Sequence, residues 1–385
     1  MGKESSYVLF SAQYPPHMGG IENFTFNLAH ALVKREHSVV VVTNDTNAVG
    51  TGLVDDGGVT ILRLPCWPFI SGRFPLAIHN AEYRKWLEWL ESQSIDGVLI
   101  NARFYFHSLL GMSFAKRKGI RPIVLEHGSD FLSFSSPILD PIVRLYERVI
   151  TSRGRRYNAA YYGVSQKSSA WLRTFGICSD GIISNSIDAA AYRLLSSGRD
   201  FRSELGLAKH FIVSFVGRLI PEKGIELIIE ASKSNILKNA SVTFVMAGDG
   251  PLAEKVAKAQ CESLRWLGRL SVADVSALLQ ESQLLCLPSR SEGFSTILLE
   301  SAACGCPAVV TDVGGARELI PDERYGTIIE SMSASEIENA IFELTKNGDR
   351  LRDQAAMCQS LVESEFNWDK TAESIEQAFR RASSK

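Results

Sequence analysis

Two doubly wound α/β domains are predicted from three observations. The 385 residues exceed what one hydrophobic core usually holds and suit two domains of ordinary size. Short apolar runs alternate along most of the chain with stretches of helical periodicity, the order that builds parallel sheets. Glycine-bearing turns follow several of those runs, at the carboxyl ends of strands where such sheets bind ligands.

In the first half, Tyr7–Ala12 is an apolar run that ends in Pro15-Pro16-His17-Met18-Gly19-Gly20. Glu22–Arg35 then repeats apolar residues at helical spacing through Phe26, Leu28, Ala29 and Leu32. Gly19 and Gly20 carry no side chain, so the backbone there can approach a ligand closely. The spacing is not that of a dinucleotide fingerprint. Strands are expected at Ser38–Thr43, Thr60–Leu64, Gly97–Asn101, Pro122–Glu126 and Ala160–Val164, with helices around Ala81–Glu91, Ser108–Lys118 and Pro141–Arg156. His127 follows one of these strands, and Gly128 beside it relieves crowding. Cys66–Ile78 is rich in Trp, Phe, Pro and Ile and fits neither period, so it reads as a loop packed on its own domain. Arg84 and Lys85, and a second basic group of Lys116, Arg117, Lys118 and Arg121, follow it.

Ala189–His210 is polar and reads as a linker with a short helix. Phe211–Val216 opens the second domain as a strand and leads into Gly217-Arg218-Leu219-Ile220-Pro221-Glu222-Lys223-Gly224. Two cations on a glycine-flanked loop between strand and helix can neutralise a diphosphate without a metal ion. Thr243–Ala247 ends in another glycine turn, Gly248-Asp249-Gly250-Pro251. Leu284–Leu287 is a buried strand, and Ile297–Ala303 suits a mostly buried helix. The turn between them, Pro288–Ser295, contains Ser, Gly and Ser, so backbone N–H groups point free at the helix start. That arrangement favours an anion. Glu292 on the turn and Glu300 on the helix could hold two ends of one polar ligand. A strand is expected at Tyr325–Ile329, then three helical stretches, the last at Thr371–Arg381.

The string Glu292-Gly293-Phe294 with Glu300, then Ala302-Ala303-Cys304-Gly305, Pro307 and Thr311-Asp312-Val313-Gly314-Gly315, resembles the donor-site signature of retaining glycosyltransferases, glycosyltransferase family 4 above all. The resemblance implies the GT-B fold: two Rossmann-like domains facing a central cleft, with a C-terminal helix crossing back to the first. On that pattern residues 1–190 form the acceptor-side domain, 191–209 the linker, 210–366 the nucleotide-sugar domain and 367–385 the returning helix. It implies that Arg218 and Lys223 stabilise the leaving diphosphate, aided by N–H groups of Gly293, Phe294, Ser295 and Thr296. Glu300 would take the ribose hydroxyls, Glu292 the sugar near its anomeric carbon, and His127 a sugar hydroxyl. Gly19, Gly20 and Gly217 would line the donor, and Arg269 and Leu270, after Trp266-Leu267-Gly268, would lie where the base is gripped. Related enzymes usually carry Pro-Asn-Gly-x-Asp at the end of the first domain. This chain keeps Asn185 and Asp188 but has Ser184 and Ser186 for the Pro and Gly.

Composition excludes several classes. A net charge of −2 gives no reason to expect a nucleic-acid partner. Hydrophobic content of 45% and charged content of 22% are those of a globular protein. Seven scattered cysteines argue for a reducing compartment, and Cys304 and Cys306 have no neighbouring ligand pair to make a metal site. No apolar run approaches the ~18 residues of a membrane span, and no signal peptide opens the chain. Met1-Gly2 with Ser6 fits the loose myristoylation pattern, but a solvated leader is the reading adopted. Residues 1–190 carry 19 basic against 16 acidic side chains and the rest 22 against 27, so any positive bias sits in the first half. With the aromatic residues nearby, that leaves peripheral contact between the first domain and a membrane open.

The expected protein is a cytoplasmic hexosyltransferase, retaining and metal-independent, with no cofactor beyond its nucleotide-sugar co-substrate. Ser295-Thr296 resembles members that use uridine diphosphate sugars, often N-acetylated ones. The acceptor class is a glycan or a lipid-linked sugar, as in bacterial surface polysaccharide or glycoconjugate synthesis. A non-catalytic partner subunit of the same fold, or a nucleotide-sugar epimerase, is the alternative. The first would lose the charges that this chain keeps, and the second would lack the Glu292–Glu300 string.

Overall fold

The computed structural model describes residues 4–17, 19–69, 72, 74–132 and 136–384; Met1-Gly2 of the myristoylation pattern and Met18 of the first loop lie outside them. The chain divides into two units, Met1–Asn185 with Trp368–Lys385, and Ser186–Asn367.

In the first unit the strands are β1 (Ser6–Phe10), β2 (Ser38–Asn44), β3 (Gly52–Asp56), β4 (Val59–Leu64), β5 (Cys66–Phe69), β6 (Phe74–Ala77), β7 (Gly97–Asn101), β8 (Ile123–Glu126), β9 (Ala160–Gly163) and β10 (Gly181–Ile182). Eight of them form one sheet in the order β10-β9-β8-β7-β1-β2-β4-β3, parallel except where β3 turns back on β4. The order reverses beside β1, between β2 and β7, so the turns after β1 and β7 flank the switch point where such sheets bind ligands. Both faces are covered, which is why the central strands read as unbroken apolar runs. Leu9, Val41, Leu62, Ile100, Val124 and Leu125 are all shut off from solvent.

Helices α1 (Gly20–Lys34), α2 (Ala81–Ser92), α3 (Phe106–Arg117) and α4 (Leu139–Gly154) connect these strands. Asn80 caps α2 by accepting from Tyr83 N at 2.8 Å. The helix Trp368–Ser383 packs here too: Phe379 stacks on Tyr7 at 4.6 Å, and Glu376 binds Arg35 and His37. Three residues of the second basic group are engaged locally. Arg117 meets Glu91 at 2.6 Å, Lys118 donates to Gln93 O at 2.9 Å, and Arg121 lies 3.8 Å from Asp180.

Two hairpins differ from expectation. β3 is an edge strand with its middle residues exposed, so it shows no apolar run. Cys66–Ile78 is not a loop: β5 and β6 pair antiparallel apart from the main sheet, Trp67 opposite Leu76 and Phe69 opposite Phe74. Pro68 and Pro75 face each other across it, which a free-standing two-stranded ribbon tolerates because each strand has an unpaired edge.

In the second unit, β11 (Phe211–Val216), β12 (Val242–Ala247), β13 (Leu264–Trp266), β14 (Leu284–Leu287), β15 (Ala308–Thr311) and β16 (Thr327–Ile329) form an all-parallel sheet ordered β13-β12-β11-β14-β15-β16. Its switch point lies between β11 and β14. Val213, Phe215, Val245, Leu264, Leu285 and Val309 fill its core. Residues 191–209 are more than a connection. They contain a helix, Phe201–Glu204, whose Phe201 is fully buried together with Leu207, and Arg202 donates to Glu281 O and Gln283 Oε1 at 2.8 and 2.7 Å.

Candidate active site

The turns that leave β11 and β14 flank the switch point of the second sheet, and they hold most of the expected site. The first runs from Gly217 to Gly224, the second from Pro288 to Ser295. They are tied together: Arg290 N donates to Glu222 O at 2.7 Å, and the Gly224 Cα faces the Pro288 carbonyl so closely that an added Cβ would lie 2.2 Å from its oxygen. Gly224 also has a φ of +69°, so only glycine suits both demands. On its other side the Pro288–Ser295 turn rests on Gly314 and Gly315. A Cβ on Gly314, with φ +53°, would meet the Glu292 and Gly293 carbonyls at 2.6 Å, and one on Gly315 would enter the Phe294 ring. Thr311 Oγ1 donates to the Ser289 carbonyl. The Thr311–Gly315 string therefore serves as the bed on which the Glu292 turn lies.

Across this paired turn Lys223 Nζ donates to Glu292 Oε1, and Ser289 Oγ donates to the same oxygen at 2.9 Å. Both side chains of the ion pair keep partial contact with solvent, 22% for Lys223 and 15% for Glu292. Arg218 is exposed on the first turn. Ser295 stands at the N-cap of the helix Thr296–Ala303 with extended backbone and no side-chain cap bond, so the helix-start N–H groups are not capped by its own hydroxyl. Phe294 cannot offer its ring to a ligand, because it is buried against Gly315 and lies 5.8 Å from Phe366; only its backbone faces the turn.

Glu300 lies one turn into that helix, and its Oε2 accepts a hydrogen bond from the Tyr192 hydroxyl at 3.0 Å. Burial raises its carboxyl above the usual range, and the phenol offsets part of that by favouring the charged form. Arg269 and Leu270 follow β13, two strands from β11 on the same side as β12. Leu270 packs beside the cluster of Leu278, Val245 and Phe201, while Arg269 is exposed. Gly217 is held beneath the Gly248 turn, where a Cβ on Gly248 would strike the Gly217 carbonyl. Gly217, Arg218, Lys223 and the segment Glu292–Thr296 are thus brought together at one end of one sheet, with Glu300 anchored behind them.

His127, Gly19 and Gly20 belong to the first unit. Gly19 has a local reason for its identity, since a Cβ would fall 2.2 Å from the buried Glu22 carboxylate; Gly20 faces open space. His127 Nε2 lies 2.9 Å from Asn101 Oδ1. Asn101 Nδ2 donates to Thr25 Oγ1 at 2.9 Å, and Thr25 donates to Ile21 O, so the Asn101 oxygen faces the ring and Nε2 carries the proton. Burial lowers the imidazole to about 3, so it is neutral near pH 7 with Nδ1 as an acceptor.

The segment around His127 is pinned from below by a buried ionic group. Arg103 Nε and Nη2 lie 2.8 Å from Glu126 Oε2 and Glu147 Oε2, and its guanidinium covers the Phe175 ring at 3.7 Å. The second oxygens of the two carboxylates accept from Gly128 N at 2.9 Å and Leu132 N at 2.7 Å. A cavity of about 490 Å³ in the same unit, lined by Arg121, Tyr162, Asp180 and Arg381, opens at the amino end of β9 and so lies at the wrong end of the sheet for this site.

Residues 18–191 match the family model described as Glycosyltransferase Family 4, and residues 198–360 that of Glycosyl transferases group 1. The chain belongs to the glycosyltransferases. This glycosyltransferase has the GT-B fold. It is 26% identical over 381 residues, 98% of each chain, to an uncharacterized glycosyltransferase of Methanocaldococcus jannaschii. To the phosphatidylinositol N-acetylglucosaminyltransferase GPI3 subunit of Saccharomyces cerevisiae it is 24% identical over 340 residues, 84% of this chain and 72% of that one. Among solved structures, Anabaena HepE in complex with UDP-glucose superposes with a TM-score of 0.73 at 18% identity, covering 98% of this chain and 100% of that chain.

Three partners of the expected site residues escaped sequence reasoning. Ser289 sits three positions before Glu292 in the same turn, a spacing that could have marked it. Tyr192 is 108 positions from its partner Glu300, and Asn101 is 26 from His127; neither pairing leaves a trace in local sequence.

Proposed function

We propose that this chain is a retaining hexosyltransferase that moves a sugar from a nucleotide diphosphate donor to a hydroxyl of a glycan or lipid-linked acceptor. The observation that carries the reading is the Lys223–Glu292 pair. The anomeric carbon and the distal phosphorus of a nucleotide sugar share one bridging oxygen. A cation for the phosphate and a carboxylate for the sugar must therefore be neighbours, and these two, 69 positions apart in sequence, touch.

In this reading Lys223 turns from Glu292 to the distal phosphate as the donor enters, and Arg218 joins it. Both stabilise charge that grows on the diphosphate as the glycosidic bond breaks. The N–H groups of Gly293–Thr296 add to that field. Glu292, still held by Ser289, stands beside the anomeric carbon where positive charge develops. A phosphate oxygen of the donor takes the acceptor proton on the face from which the diphosphate departs, which retains configuration. Glu300, oriented by Tyr192, binds the ribose. Fixed cations and a helix start supply the positive charge, so no metal ion is required. The resemblance of Ser295-Thr296 to members that use uridine diphosphate sugars, often N-acetylated ones, favours such a donor. The UDP-glucose complex of the Anabaena neighbour supports the nucleotide, and the name of the yeast relative supports an N-acetylated sugar and a lipid-linked acceptor.

The two glutamates test the assignment, because ribose contacts change little between ground and transition states whereas the anomeric centre changes most. Glu300→Gln should raise donor KM and the Kd of free nucleotide diphosphate with modest loss of kcat. Glu292→Gln should lower kcat and leave nucleotide affinity near wild type. The opposite pattern would overturn both roles.

A further inference from the structure

Among the described residues, the outward face of α4 is apolar, cationic and open to solvent. Ile138, just before the helix, and Ile142, Leu145 and Val149 follow each other at intervals of 4, 3 and 4 residues, which sets them in one stripe. They are 75%, 59%, 63% and 41% exposed, while Ile150, Thr151 and Gly154 on the opposite side are buried. Scattered exposed apolar residues need no explanation, but a contiguous stripe does. The β5–β6 hairpin extends the patch with Trp67 and Phe69, 67% and 60% exposed. It is attached to α4 through Phe74, whose ring meets Tyr146 edge-on at 5.9 Å.

The exposed charges on α4 have one sign, although Asp130 is exposed just beyond it. Arg144, Arg148, Arg153, Arg155 and Arg156 are exposed on and just after α4. Its acids are Asp140, half-buried, and Glu147, fully buried and bound to Arg103. The hairpin strands contain no acid. Arg144 and Arg148 both lean over Phe131, at 5.5 and 5.6 Å. A second copy of this chain docking through the same face would set these arginines against each other. A negatively charged lipid surface complements them, and a helix of 16 residues with an apolar row between cations can lie flat at its headgroup level. No helix among the described residues is long and apolar enough to cross a membrane.

We propose that the α4 face, with the β5–β6 hairpin beside it, seats this chain on an anionic lipid bilayer. Vesicle co-sedimentation tests this without any nucleotide sugar, so its result is independent of the donor-site reading. The probes are vesicles of phosphatidylcholine alone and of phosphatidylcholine with about one-third phosphatidylglycerol. The purified chain should bind the anionic vesicles at least tenfold more tightly than the neutral ones, and high salt should weaken that binding. An Ile142→Glu/Leu145→Glu double variant should lose tenfold or more, and Arg148→Gln roughly fivefold, as expected for one cation near such a surface. Both variants should melt with the wild type, since the altered side chains are exposed. Equal binding to both vesicle types, no binding to either, or unchanged binding by the double variant would overturn the proposal. So would a wild-type dimer in light scattering that the same substitutions dissolve, because the face would then belong to a second copy.

Discussion

Replacing Lys223 with Ala separates catalysis from folding at this site. The ammonium and its partner carboxylate keep 22% and 15% of their surface in solvent, so water screens the pair. An ion pair of that kind is worth about 1 kcal/mol at most to folding. For a unit of this size, that corresponds to a fall of roughly 2–4 °C in melting temperature. Glu292 also keeps its hydrogen bond from Ser289, so it is not left stranded. On the proposed mechanism the loss in the transition state is larger, because Lys223 then stabilises charge growing on the departing phosphate. One missing donor of this kind costs about 2.7–4 kcal/mol, or 10²–10³ in kcat. The assay is turnover of a nucleotide-sugar donor, alongside calorimetric unfolding. Arg218→Ala, exposed on the same turn, should behave likewise. Turnover within about threefold of wild type would return both residues to ordinary surface charges. A melting temperature lowered by far more than a few degrees would make the Lys223 pair a structural strut.

The other expectations are narrower. Tyr192→Phe removes the hydroxyl that orients Glu300, so nucleotide Kd should rise roughly 3- to 10-fold, the range of one lost hydrogen bond, with kcat nearly unchanged; an equal fall in kcat would contradict this. Activity should survive EDTA, and loss restored by magnesium or manganese would refute a metal-independent site. His127 is held neutral, about 3 against an ordinary value of 6.5, so the unfolded chain binds its proton first as pH falls. Its contribution to stability is thus intact above pH ~6.5 and declines toward pH ~3, by up to about 1.4 kcal/mol per pH unit. The difference in unfolding free energy between wild type and His127→Gln should carry that slope from pH 6.5 downward. A difference flat in pH would show that the imidazole titrates normally.

Much of the architecture was legible because the central strands are buried on both faces. Gly97–Asn101 and Leu284–Leu287 read from sequence with the ends they have in the structure, since both are buried along their length and, Asn101 apart, carry no polar side chain. β3 was invisible for the converse reason: only its first residue is buried, and what marks it is the Asp56-Gly57-Gly58 turn, with φ of +58° and +89° at the glycines. The β5–β6 hairpin was hidden by Pro68 and Pro75, which argue against a strand wherever a sheet must continue on both sides. Within the site, the turns at Gly217–Gly224 and Pro288–Ser295 were readable as local strand–turn–helix units. Their mutual bracing was not, because the Arg290–Glu222, Lys223–Glu292 and Thr311–Ser289 contacts join segments that only the parallel sheet makes neighbours. The burial of the Phe294 ring was hidden in the same way. It depends on Gly315 and Phe366, one of which lies 72 residues away.

Proton NMR of the sugar released from a nucleotide sugar tests the reaction most directly. Wild-type protein incubated with UDP-glucose or UDP-N-acetylglucosamine should cleave one of them slowly, or rapidly with acceptor. The first product signal should carry the same anomeric configuration as the donor, and Glu292→Gln should slow its appearance at least a hundredfold. Release of the opposite anomer would rule out retention, and cleavage of no nucleotide sugar by the wild type would contradict the catalytic reading.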